Sequence, residues 1–451
     1  MGGIAKLLKE VLMRYNQPYD QPSDPNAPYV DGDPDAGIEG SVVPAAGVEF
    51  DQREVVEVIN AAFTRHYTDF TNTACAAPDN GDLTQLRKAI EGFIRTTPVP
   101  SWYIDNVVSY TVHGTSPKYA NLNVAFEDLS KYIVTHNGQV TLAIAAGAWP
   151  YGGASVSLDH PNGNRIIVTG ANLSSYPVAT DFTVTGYTDT LRGNDRTNTL
   201  NRLRTRFTTE LDFTGGAGIS SSAVNMLLQN ILIVGDRSAK GGFGLSAGSL
   251  TIKNVSVWGG YVGVGQGILS LASGSFFSAN GSIGHGIGLA SGGNMWHGTN
   301  TQMWLTSNDN SGIGAGFDCG ANGYAQVFAN GNAWEGLACT IIGQFQVGAQ
   351  SQFNMNAQQG LFVCQGSFYA DPATGGAGNG LQVQNNGGGG MWVTVGSNAQ
   401  APWGQFSGNT GGPAITCIDG SFVYAPSASG VAGNSNPGIN TLSADGSYIT
   451  V

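Results

Sequence analysis

The sequence predicts a mainly β protein: a parallel β-helix, a solenoid of short stacked strands, preceded by a region of short helices and extended linkers. Three observations carry this. From Asn254 to the C-terminus, 198 residues hold no lysine or arginine and only six carboxylates, Asp309, Asp318, Glu335, Asp371, Asp419 and Asp445. A surface solvated by Ser, Thr, Asn, Gln and Gly instead of charge suits stacked repeats and tight subunit association better than a free globular enzyme, whose residues are about one quarter charged. Beyond Lys240, Gly followed by an apolar residue recurs at Gly244, Gly267, Gly288, Gly312, Gly336, Gly360 and Gly380, in steps of 23, 21, 24, 24, 24 and 20 residues. A period of that length marks a unit that cannot bury its own apolar face and must stack on its neighbours. Finally, short runs of β-formers are each punctuated by Gly or Asn.

Taken in order, Ile4, Leu7, Leu8, Val11 and Leu12 have helical spacing, so residues 4–14 read as a short amphipathic helix that needs a partner surface. Five prolines within 16–35 make an extended peptide. Helical patterns return at about 51–62 and 82–95. Residues 1–97 are therefore small helices on irregular linkers that gain order by docking, and 98–451 form the stack. Its start is a cap helix over 121–135, ended by Gly138 and followed by the alternating strand Val140 to Ile144. Further strands are expected at Arg165 to Thr169, Phe182 to Thr185, Asn230 to Val234 and Leu250 to Val257.

Composition excludes several functions. All 19 basic residues lie in 1–253 with 25 of the 31 acidic ones, so both halves are acidic, and no basic cluster exists to neutralise phosphates: no nucleic acid is expected. Cys75, Cys319, Cys339, Cys364 and Cys417 form neither a C-x-x-C pair nor a disulfide framework, so neither metal nor cofactor is expected. Cys319, Cys339 and Cys364, 20 and 25 residues apart, are expected in equivalent small apolar slots of the stack. The N-terminal stretch is not expected to be a signal peptide, because Lys9 and Glu10 interrupt it and no small-residue cleavage site follows, and Lys6 stands where myristoylation prefers Ser or Thr. No run of about 18 apolar residues spans a membrane.

Motif by motif, Asp31-Gly32-Asp33-Pro34-Asp35 lacks the glycine and glutamate of a calcium loop, having Ala36 and Val42 in their places. Gly244-Leu245-Ser246-Ala247-Gly248 spells a nucleophile elbow but sits among β repeats with no helix after it. Gly263 to Gly267 carries no lysine and opens no helix, which excludes a phosphate loop. If the chain were enzymatic, Asp309, Asp318 and Glu335 would be the carboxylates of choice for cutting a glycosidic bond. Acidic-polysaccharide lyase chemistry would want a cation that 254–451 does not contain. The stronger expectation is therefore not an enzyme. Trp296 with His297, and Trp304 with Asn308 and Asp309, are the candidates for holding a sugar, by aromatic stacking with amide bonds at the edge.

Tyr103-Ile104-Asp105-Asn106, the Ala125-Phe126 helix and the strand Val140 to Ala146 ending in Gly147-Ala148-Trp149 resemble the cap and first rung of pectate-lyase-like right-handed β-helix proteins of bacteriophage tails. The Gly- and Asp-rich turn usual after the first strand is replaced here by Val107 to Lys118. Residues 29–62 are similar to N-terminal segments of tail fibres and tailspikes, and the later Asn-x-x-x-Gly-hydrophobic repeats fit the same family. The resemblance implies a virion protein of the phage tail, a homotrimer whose residues 1–97 bind other tail proteins while the β-helix meets a polysaccharide or protein of the host surface. A tailspike depolymerase cleaving host polysaccharide, or a baseplate or fibre-network component without receptor contact, are the alternatives.

Overall fold

The computed structural model describes Asp35 and residues 102–450, except 223–224, 238–241, 291, 299, 316–318, 324, 341–342, 372–379, 432–434 and 437–442. The chain divides into units 1–101 and 102–451. The helices expected at 4–14, 51–62 and 82–95, the proline-rich stretch before Asp35, and Cys75 lie outside the described residues.

Residues 102–450 are mainly β, with two α-helices among the described residues, and every strand pairing is parallel, each strand beside its counterpart one repeat away. The pairings make three ladders of a β-helix-like solenoid. The first climbs from Val107–Val112 through Gln139–Ile144 and Ile166–Thr169 up to Phe422–Tyr424 and Tyr448–Thr450. The second starts with Gly147–Pro150 beside Thr209–Asp212 and continues through Gln302–Trp304 and Gln326–Phe328, then as single bridges at Gln352, Gln382, Gln405 and Ser429. The third runs from Ser155–Ser157 to Ser435–Asn436. Met226–Val234 and Ser249–Trp258 are long enough to serve the first two ladders at once. They turn the corner at Asn230 and Asn254, with φ of +58° and +55°, a left-handed conformation that asparagine tolerates better than most residues.

Alternation decides what is inside, because successive side chains of a strand face opposite ways. In the first ladder Leu250, Leu269, Met295, Ala321, Phe345, Phe368, Ala399, Val423 and Ile449 are register partners in one inward column, all buried. At about 25 cal/mol per Å² of apolar area, such columns are the main stabilising term. The helix α1, Leu122–Leu129, buries Leu122, Ala125, Phe126 and Leu129 in the same core, and the side chain of its N-cap Asn121 accepts from Val124 N at 3.0 Å. It ends six residues before the expected boundary, because Ile133–Val134 turns back to pair with Tyr103–Ile104. Within Val107 to Lys118, residues Val107–Val112 are a strand of the first ladder.

The asparagine of each Asn-x-x-x-Gly repeat forms a second interior column. Asn308 Nδ2 donates to Asn332 Oδ1 at 3.0 Å, Asn332 to Asn356 at 3.0 Å, Asn356 to Asn386 at 3.1 Å and Asn386 to Asn409 at 3.0 Å. Each Oδ1 also accepts the backbone N–H of the preceding asparagine. The glycine four residues on is required by close approach: a Cβ at Gly336 would lie 2.7 Å from the Gly360 carbonyl oxygen and 2.8 Å from Phe353.

Three expectations are corrected. Ile313, Leu337, Leu361 and Met391 are register partners, so Gly312, Gly336, Gly360 and Gly390 form one column, whereas Gly267 and Gly380 precede the first and second ladders and Gly244 and Gly288 sit mid-strand in the third. The 24-residue step is that of the stack, but the dipeptides mix four positions of the repeat. Phe182 to Thr185 is no strand: Ala179–Phe182 is a 3-10 turn. It belongs to an arm leading into an unexpected helix, α2, Asp189–Arg206. The cysteines do not share a slot: Cys339 faces inward between Ala315 and Val363, Cys364 pairs with Thr340 and Thr394 on the other side of the strand, and Cys319 donates to the carbonyls of Leu289 and Ala290 from outside the strands.

Candidate functional site

The arm and α2 lie on the outer side of the second ladder. There the outward residues Leu232, Val234, Phe276 and Trp304 are apolar, and Phe182, Leu203 and Phe207 cover them as a second, smaller core. Phe182 stacks on Trp304 with centroids 4.4 Å apart, and Trp304 on Phe328 at 5.8 Å. α2 has few apolar residues and is held by arginine. Arg196 and Arg237 each bond one oxygen of Asp309, and Arg192 Nε lies 3.6 Å from it. Arg196 Nε also donates to the Ser307 carbonyl at 2.7 Å, and Trp258 Nε1 donates to the Arg196 carbonyl at 3.0 Å. Burial pulls the Arg196 guanidinium below its ordinary value, Asp309 pulls it back up, and Arg237 and Arg192 lower it again. Asp309 thus fastens a helix to the wall.

This places the candidate residues. Trp304 is 2% exposed and both its faces are covered, so it is a packing residue and not a sugar platform. Asn308 is fully buried in the asparagine column, and His297 is buried with Nδ1 accepting from Ala325 N at 3.4 Å. These assignments are corrections: for Trp304 the outward face of the second ladder is the interior of a second layer, which strand alternation alone does not show, while Asn308 and His297 are buried within the stack itself. Asp309 is bound to arginines as described, Glu335 accepts from Ser311 Oγ at 2.8 Å, and Asp318 lies outside the described residues. The strand Gly242–Leu245 runs into a bend with no helix after Ser246, and Val262–Val264 runs into a corner, so neither glycine motif builds an elbow or a phosphate loop.

Trp296 is the candidate that stays outside, 53% exposed on the first ladder between Ser270 and Asn322. Farther along the same ladder, Gln346, Tyr369, Gln400 and Tyr424 form an outward column that holds no charge. Beside it Gln302 Nε2 donates to Gln326 Oε1 at 3.0 Å, and Gln326 to Gln350 at 3.1 Å. Next to these amides is a recess of about 490 Å³ lined by Asn300, Thr301, Gln302, Gln326 and Asp371.

No family model, curated protein or solved structure matches the chain.

Among the described residues no group of three or more His, Cys, Asp or Glu side chains could hold a metal ion, and no helix is long and apolar enough to cross a membrane. What the outward ladders present is aromatic area edged by amides. Such a surface can stack on a sugar ring or pack against another copy.

Proposed function

We propose that the chain is a structural protein of a bacteriophage tail, a fibre or tailspike whose residues 102–451 form a right-handed, pectate-lyase-like β-helix presented to the host surface and whose residues 1–97 attach to other tail proteins. The single observation carrying this reading is the uncharged outward column of the first ladder, with exposed Trp296 and Tyr424 among amides. Sugar rings are held through aromatic faces and amide hydrogen bonds, and a surface without cations leaves little repulsion between copies. The fold supports it too: parallel ladders with an N-terminal helix in the core are the architecture that the Tyr103 to Trp149 resemblance implies. The same lack of charge favours a parallel homotrimer, with copies meeting along one face and a host glycan or protein on another.

Two assays test the reading together. Host cells preincubated with the purified chain should adsorb fewer phage particles, and incubation of host polysaccharide with the chain should release no reducing ends. Undiminished adsorption would reduce the chain to a tail component without receptor contact. Release of reducing ends would make it a depolymerase, with Asp309 freed from its arginines when substrate binds.

A further inference from the structure

The second ladder carries a groove at the edge of the arm. Its outward column runs Trp304, Phe328, Gln352, Gln382, Gln405, and the arm covers the start of this column. Just there, Phe182, Trp304, Phe328, Asn330, Gln352 and Asn354 are among the residues that line a recess of about 220 Å³. The aromatic stack of Phe182, Trp304 and Phe328 forms one end.

The polar groups are arranged in the stack direction. Asn330 Oδ1 accepts from Asn354 N at 2.8 Å, and Asn354 Oδ1 accepts from Gln384 N at 2.8 Å. Both oxygens are thereby fixed, and among the described residues no hydrogen bond uses the Nδ2 of either asparagine or the side-chain amide of Gln352. These donors lie on two successive rungs, Asn330 on one and Gln352 with Asn354 on the next, at the roughly 4.8 Å spacing of hydrogen-bonded neighbours. Met355, at φ +56°, is the left-handed corner residue of its rung, as Ser307, Gly331, Asn385 and Gly408 are of theirs. No charged side chain lines the recess.

We propose that this groove binds a neutral glycan strand, lying along the stack with one ring against the Phe328 edge and its hydroxyl or N-acetyl oxygens taking the free amide donors. Uronate, sialate and phosphate groups are disfavoured, because the groove has no cation to offset their desolvation. The proposal rests on the host-contact reading and names the ligand class for it.

The test presents the full chain to immobilised neutral polysaccharides, namely mannan, galactan and β-glucan, and to hyaluronate and polysialate as acidic probes. At least one neutral polysaccharide should be retained and both acidic ones passed over. Gln352→Ala should weaken the retained interaction about tenfold, and Gln352→Glu more, with the thermal melt of both variants unchanged to show that they fold. Retention of acidic probes alone, or neutral binding unaffected by either variant, overturns the groove assignment and leaves the host-contact reading standing. That reading falls only with the adsorption assay.

Discussion

Residues 102–253 carry both helices, the arm and every lysine and arginine of the described chain, whereas residues 254–450 hold their wall together mainly with side-chain amides and hydroxyls. In the first part an ion pair is a single device at a single place: Arg206 pairs with Asp181, Arg204 with Glu210, and Arg192, Arg196 and Arg237 gather on Asp309. In the second part the device repeats. Each asparagine of the column is satisfied only because the next rung supplies its partner, so that stability is shared along the stack in the manner of nearest-neighbour repeats. Charge positions an insertion, and amides propagate a period.

That contrast can be broken at four points. Asp309→Ala should have the largest effect, about 4 kcal/mol, because it leaves guanidiniums buried without their carboxylate. Hydrogen exchange should accelerate first in Asp189–Arg206; a uniform change across the stack would contradict the role of Asp309 as a local fastener. Asn356→Ala should cost about 3 kcal/mol in denaturant unfolding, since it removes acceptors from Asn332 and a donor from the Ala329 carbonyl. Asn409→Ala, at the end of the column, should cost about 1 kcal/mol. Equal costs would mean that the ladder does not transmit.

Alkaline pH gives a third comparison. Burial, with Cys319 and Cys364 nearby, pushes the Cys339 thiol up from 9.0 to about 12. The unfolded chain loses that proton first, so the contribution is fully present below pH 9 and lost as pH rises from 9 towards 12. By pH 10 the loss is about 1.4 kcal/mol, which Cys339→Ala should abolish; an unchanged alkaline slope in the variant would remove Cys339 as its source. The smallest effect belongs to Trp296→Ala, within about 0.5 kcal/mol of the parent because the ring is exposed. A loss of several kcal/mol would show that Trp296 is buried by another copy.

Much of the stack was readable in the sequence for the same reason that it is stable. Val140 to Ile144, Asn230 to Val234 and Leu250 to Val257 alternate or run apolar, and the structure has strands at each. The Asn-x-x-x-Gly repeat of Asn308, Asn332 and Asn356 became the interior column because the spacing of 24 residues returns the chain to the same corner. Helix α2 escaped because its buried positions are Arg192, Asp195, Arg196, Thr199 and Leu203, a face that hydrophobic periodicity does not register. Arginines bury their stems while their heads find partners, and the partner Asp309 lies more than a hundred residues away. Trp304 was misplaced for a related reason: which side of a strand is solvent depends on whether something covers it, and the arm is not visible in the strand, whereas Asn308 is an inward residue of the asparagine column.

The central claim is that this chain stands on a phage tail with its uncharged stack turned towards the host. Density for the assembled particle tests it most directly. The account predicts three parallel copies of residues 102–451 projecting from the tail, with residues 1–97 at the tail end and the Trp296 or Gln352 face reaching solvent. Particles that lack the chain, or that bury both faces inside the tail, would contradict it.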